Sequence, residues 1–195
     1  DDPERGFSFR NDGPLDLRFD QTSGIPAFAW IARADQEEIA QALRRGGELR
    51  SAWSIADSII RKKPVTTKQL QECVEEALGW RAASAMSQVF QALRIAVNDE
   101  MQALQSLLAT GPRLLNSGGR FGVISYHSLE DRLVKQAFRA LVTVQKDPHT
   151  GQDIETSMYR LLTKKAVAPS EREIAENPRA RSAKLRVIQK TIQPS

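Results

Sequence analysis

The sequence predicts an α/β chain: a small helical subdomain, then the closing strands and helices of a doubly wound sheet. Two observations carry that expectation. Between residues 26 and 110 apolar residues recur at helical spacing, with capping and stop signals between the stripes. After residue 115 the pattern becomes a short apolar run, an amphipathic helix and two strand-like segments, the order in which an α/β sheet closes. The expected division is a loop segment at 1–25, a helical part at 26–83 and a sheet-bearing part at 84–195.

Residues 1–25 hold Gly6, Gly13, Pro14 and Gly24 among charges and aromatics, show no period, and read as ordered loop and turn. Asp35 and Glu38 form a capping-box pattern ahead of Ile39 and Leu43, with Gly46-Gly47 as the stop. Leu49, Ala52, Trp53, Ala56, Ile59 and Ile60 share one face of a second helix that ends before Pro64. A third starts at Thr66, with Gln69 three residues on. It sets Leu70, Cys73, Val74, Ala77 and Leu78 at i, i+3, i+4, i+7 and i+8 before Gly79 ends it. Helical spacing resumes from Ala85 to Leu108 through Val89, Leu93, Val97, Met101 and Leu104, with Asn98 a candidate cap inside it and Pro112 a stop.

Asn116-Ser117-Gly118-Gly119 is a turn, and Arg120 to Ser125 is an almost wholly apolar strand, expected to be covered on both faces as in a parallel sheet. Ser128 and Asp131 are expected to cap the helix that follows, with Leu129, Leu133, Val134, Ala137, Phe138 and Leu141 inward. Residues 144–156 read as a polar loop around Asp147-Pro148 and Gly151. Tyr159 to Lys165 and Ser182 to Thr191 are the last two expected strands.

Composition narrows the function classes. A hydrophobic fraction of 41% and a charged fraction of 27% are those of an ordinary globular chain. No apolar run approaches the roughly 18–20 residues of a membrane-spanning helix. The opening Asp1-Asp2-Pro3-Glu4-Arg5 does not read as a signal or transit peptide. The single cysteine excludes an internal disulfide and fits a reducing compartment. The net charge of +4 is unevenly placed: from Ser157 onward nine Lys/Arg face three acids. A basic C-terminal face suits a polyanion such as RNA, though a solvated charged surface gives the same pattern. An aromatic content of 6% offers few stacking platforms for a general nucleic-acid module.

Ligands of open α/β sheets sit beyond the carboxyl ends of strands, and Tyr126-His127-Ser128 occupies that place. His127 is placed to orient a substrate or take a proton; equally, Ser128 serves as a helix cap and His127 bonds a backbone carbonyl. Asn177 to Ser182 is a turn that sets Arg179 and Arg181 just before the last strand, a pair suited to gripping phosphate or a plain surface loop. Asp12, Asp16 and Asp20 with Arg18 form an ion-paired loop rather than a metal site, and no C-x-x-C or H-E-x-x-H pattern points to zinc. Cys73 belongs to an apolar stripe, and His149 to the polar loop. There is no P-loop and no G-x-G-x-x-G after a strand; Gly118-Gly119-Arg120-Phe121-Gly122 precedes a strand and is no phosphate cradle.

These segments resemble the RsmH (MraW) family of small-subunit rRNA cytosine-N4 methyltransferases. The similarity runs through Glu4-Arg5-Gly6-Phe7-Ser8-Phe9, Asp12-Gly13-Pro14-Leu15-Asp16-Leu17-Arg18, Gly47-Glu48-x-Arg50 and Pro64-Val65-Thr66-Thr67. It continues through Phe90-Gln91-Ala92-Leu93-Arg94-Ile95-x-Val97-Asn98-x-Glu100, the stretch from Gly118 to Arg132, and Asn177 to Arg186. Motifs of this length in one order cover nearly the whole chain.

The resemblance implies a Rossmann-like class I methyltransferase with a helical insertion for RNA recognition at 26–83, S-adenosylmethionine as donor, and the N4 amine of a cytidine in small-subunit rRNA as acceptor. It implies a bacterial cytoplasm, or alternatively a plastid or mitochondrion, with a ribosomal subunit rather than a membrane as partner. The family's Gly-rich turn, ribose-binding acid and strand-end loop would all precede Asp1, so no donor-binding residue carries over. What carries over is a pocket wall: Phe7, Phe9, Asp16, Arg18, Arg94, Asn98, Asn177, Arg179 and Arg181, with His127 and Ser128 as catalytic candidates. The chain is therefore expected to be catalytically incomplete by itself, either an excerpt of a longer protein or completed by another polypeptide or neighbouring surface, since Arg120 to Ser125 would otherwise offer an open apolar edge. The alternative is a non-catalytic rRNA-binding or ribosome-assembly factor of the same descent.

Overall fold

A computed structural model describes residues 5–9, 11–143 and 157–191. The polar loop expected at 144–156, with His149, lies outside them, as does Glu4. The chain divides into two compact units, Asp1–Glu100 and Met101–Ser195.

The first unit is helical: α1 (Ala27–Arg33), α2 (Gln36–Gly47), α3 (Ala52–Lys62), α4 (Thr67–Leu78) and α5 (Ala82–Asn98). α2 packs on both α3 and α5, and α4 on α3 and α5. Their apolar stripes meet in one core, in which Ile31, Ile39, Leu43, Ile55, Ile59, Leu70, Val74 and Leu93 are fully buried. Each such side chain contributes roughly 1.5–3 kcal/mol by leaving water. The Asp35–Glu38 capping box forms in both directions, at 2.8 and 2.9 Å, and Thr66 caps α4 through the Gln69 N–H.

Gly46 and Gly47 do not stop α2; they are its last two residues, and the left-handed turn falls on Glu48 at φ 51°. Their role is contact. A Cβ on Gly46 would lie 2.8 Å from the Ala92 Cα, and one on Gly47 2.8 Å from the Gln88 carbonyl oxygen. The missing side chains let α2 and α5 approach closely. Helix α1 has no counterpart among the expected elements, because Pro26 precedes it without a side-chain cap bond.

The second unit contains α6 (Glu100–Thr110), β1 (Arg120–Ser125), α7 (Ser128–Val142), β2 (Tyr159–Leu161), the short α8 (Glu171–Glu176) and β3 (Lys184–Lys190). Its sheet has the order β1-β3-β2, with both pairs antiparallel, Arg120 facing Gln189 and Ser125 facing Lys184. This corrects the expectation for β1: its partner runs the other way, and its faces are unequal. Phe121 and Val123 turn toward α7, the Phe121 ring 5.9 Å from that of Phe138, while Ile124 on the opposite face is 58% exposed. The core is Leu108, Val134, Phe138, Tyr159 and Ile188, and the Tyr159 hydroxyl is satisfied by the Pro112 carbonyl at 3.1 Å. The strand expected from Tyr159 to Lys165 is shorter, with an isolated bridge from Val167 to Leu185 continuing the contact. Among the described residues no helix is long and apolar enough to cross a membrane.

Candidate functional site

In the first unit, two segments some fifty residues apart in sequence are sewn together. Pro14 bridges Thr66, the Leu15 N–H donates to the Val65 carbonyl, and the Thr67 N–H donates to Gly13 (2.9 Å each). The Asp12 carboxylate accepts from the Gly13 and Lys68 N–H groups, and the Lys68 bond, foremost, holds its pKa below the ordinary value. Gly6, at φ 67°, passes so close to this strand that a Cβ would lie 2.3 Å from the Pro14 carbonyl oxygen. Leu15 and Leu17 then dive into the core. Leu17 adopts φ 63°, a left-handed conformation that costs a branched residue free energy unless its surroundings impose it.

That turn is imposed by Asn98, from the end of α5. Its Oδ1 accepts the Phe19 N–H at 2.7 Å, and its Nδ2 donates to the carbonyls of Leu17 (2.7 Å) and Arg94 (2.9 Å). Asp16 and Arg18 close the loop from within. The carboxylate takes two parallel bonds from the guanidinium at 2.8 Å, which also bonds the Ser23 carbonyl. The Arg18 bonds, opposed by burial, hold the Asp16 carboxyl below the usual range. Both side chains are spent on the loop.

The product is an exposed ring. Phe19, which the motif reading passed over, is 56% exposed at the apex. Phe7 stacks on it at 5.8 Å, the Arg94 guanidinium sits over it at 5.6 Å, and Arg5 lies 5.0 Å over Phe7. Arg94 is itself fixed by two bonds to Glu100 at 2.7 and 3.0 Å. Phe9, by contrast, turns to Phe90 at 5.7 Å and packs on the core. The signal for Phe19 was available: an aromatic residue between the Asp16–Arg18 pair and the Asp20 turn, where nothing local would bury it. Cys73 is core as expected, and burial pushes its thiol up.

In the second unit, the cap of α7 is His127, not Ser128 with Asp131. The imidazole Nδ1 accepts the Glu130 N–H at 3.4 Å, and the Glu130 carboxylate accepts from the Tyr126 and His127 N–H groups. Burial raises the Glu130 pKa, but the bonds from His127 and Tyr126 outweigh it and leave it lowered. The imidazole Nε2 lies 3.4 Å from the other Glu130 oxygen, yet has no aligned hydrogen bond among the described residues. Asp131 is drawn off to β3, binding Arg186 at 2.7 and 3.0 Å. Asn177 caps a short turn of 3₁₀ helix over Pro178–Ser182 in which Ala180 is buried and Arg179 and Arg181 are exposed. Because Ser125 faces Lys184, the His127 turn and the Arg181 turn lie at the same end of the sheet. The candidate residues thus fall into two groups: Phe7, Arg94 and Asn98 around the Phe19 loop, and His127, Ser128, Arg179 and Arg181 at the sheet end.

A model of the MraW methylase family matches residues 1–191. The chain is 45% identical over 193 residues to a ribosomal RNA small subunit methyltransferase H from Cyanothece, covering 97% of this chain and 60% of that protein. The protein of that name from Synechococcus is 46% identical over 199 residues (99% and 58%), and that from Oenococcus oeni 42% over 201 (97% and 64%). The chain thus spans about three-fifths of the length of these relatives.

Proposed function

Since the chain belongs to the MraW methylase family, we propose that it forms the RNA-recognition and C-terminal part of a methyltransferase acting on the N4 amine of a cytidine in small-subunit rRNA. The observation that carries this reading is the Phe19 loop. The family match runs through the segments that build it, and Asp16, Arg18 and Asn98 hold a loop whose Phe19 is more than half exposed. A cytosine whose exocyclic amine is to react has to leave its stack, and rings backed by guanidinium groups receive such bases. Residues 26–83 supply the helical recognition part, and Arg179 and Arg181 are placed for phosphate. His127 and Ser128 are the polar groups proposed to align the weakly nucleophilic nitrogen. The relatives' names supply the substrate class, and their bacterial sources favour the bacterial cytoplasm.

A methyltransferase of this kind implies S-adenosylmethionine, which supplies the methyl group when bound. The residues here do not fit it. The strand-to-helix turn between β1 and α7 has no glycine-rich cradle, and its helix N-terminus is filled by the His127–Glu130 box. We therefore assign this chain to the acceptor side. A Rossmann-like sheet fits the same reading: antiparallel strands commonly edge an otherwise parallel sheet, and β1 has one partnered edge.

Calorimetry with S-adenosylmethionine tests this division. We expect no binding by the chain alone and binding when it is joined to the portion of the Cyanothece relative that it does not cover. Binding by the chain alone would overturn the assignment; rRNA binding without donor binding in either form would favour an assembly factor.

A further inference from the structure

The turn before β3 is not the only basic surface of the second unit. Lys135 and Arg139, four residues apart and so neighbours on one face of α7, line a shallow recess with Lys164 from the segment after β2. Phe138, Leu161, Thr163 and Arg186 complete its lining, with no acidic side chain among them. The charge of Arg186 is matched by Asp131 through two hydrogen bonds. The head groups of Lys135, Arg139 and Lys164 have no hydrogen-bond or ion-pair partner among the described residues, and all three side chains are exposed. Three exposed cations share this strip; Lys135 also feels the charge of Asp131, one turn back on α7, while Arg139 and Lys164 meet no acidic group in the recess.

The chemistry of the strip selects its partner. Protein interfaces are anchored by aromatic or apolar groups seated in pockets, and Phe138 is only 1% exposed, so the recess offers a protein no anchor. Long, flexible ammonium and guanidinium groups suit phosphates, which position a nucleic acid without reading it. We propose that this recess carries the sugar–phosphate backbone of the RNA substrate. It is a contact separate from the Arg179–Arg181 turn, and the proposal rests on the rRNA reading above. It sets where the RNA runs, not which nucleotide reacts.

The test is RNA affinity of the full chain across a salt series, using a fragment of small-subunit rRNA and a scrambled RNA of equal length. Lys135→Gln/Arg139→Gln/Lys164→Gln should weaken both RNAs alike and lower the slope of log K against log salt by about 2, three phosphates at roughly 0.7 each. Its melting temperature should not move, and Lys164→Glu alone should act in the same direction. An unchanged salt slope in the triple variant overturns the recess, as does loss confined to the rRNA fragment, or binding of polyglutamate that the same substitutions abolish. Failure of the unsubstituted chain to bind either RNA would instead strike the rRNA reading itself.

Discussion

Three hydrogen bonds from one amide hold the apex of the loop: Asn98 receives the Phe19 N–H and donates to Leu17 and Arg94. Asn98→Ala should leave the left-handed Leu17 turn unsupported and cost about 1–2 kcal/mol. Each exposed or part-buried hydrogen bond lost is worth roughly 0.5–1.5 kcal/mol, and water replaces part of it. A urea melt measures it. Phe19→Ala separates site from scaffold. With its ring more than half exposed, its removal should barely move the melt, while RNA binding weakens by the roughly 1–3 kcal/mol that base–aromatic stacking supplies. Equal RNA affinity with an unchanged melt would remove Phe19 from the site. The motif reading reached Phe7, Arg94 and Asn98 but not Phe19, because the exposure of a ring depends on what the chain folds against it. Asp16 and Arg18 form the ion pair that their spacing suggested, which spends on the loop two side chains that the resemblance had set in the pocket wall.

Elements reveal which signals are local. The Asp35–Glu38 box, the Thr66 cap and the strand at Arg120–Ser125 were legible because each depends on residues three or four apart, or on one apolar run. Gly46 and Gly47 were read as a stop because a glycine's conformational freedom is a local property, whereas a close approach to Ala92 and Gln88 is not. Gly46→Ala should therefore destabilise the helical unit by about 1–3 kcal/mol, as overpacking does, although alanine is the better helix former; a higher urea midpoint would refute the close-contact account. The antiparallel pairing of β1 was illegible for the same reason, since register is set between strands sixty residues apart.

Asp131 ties α7 to β3, and its Arg186 bonds keep its carboxyl below the ordinary range against the opposing effect of burial. A depressed folded value means that the stabilisation is complete above the unfolded value of about 3.9 and is lost as pH falls through the folded one. The urea midpoint should drop in acid below about pH 4, and Asp131→Asn should flatten that limb while lowering the neutral plateau. An acid limb identical in the variant would contradict the link.

At the scale of the molecule, two compact units carry different parts of the proposed task. The helical unit displays a half-exposed aromatic side chain on a hydrogen-bonded loop; the sheet unit gathers His127, Ser128, Arg179 and Arg181 at one end and the exposed cations Lys135, Arg139 and Lys164 in one recess. The sequence reading named the residues of both groups, but not the antiparallel sheet that brings the His127 and Arg181 turns to the same end. The central claim is that this chain is the acceptor side of an rRNA cytosine-N4 methyltransferase. Its most direct test joins the chain to the uncovered portion of the Cyanothece relative, supplies methyl-labelled S-adenosylmethionine and small-subunit rRNA, and identifies the labelled nucleoside by mass spectrometry after digestion. The account predicts N4-methylcytidine, reduced when Phe19 is replaced by alanine. Label on a different nucleoside or ring atom, or no label although donor and RNA both bind, would contradict it.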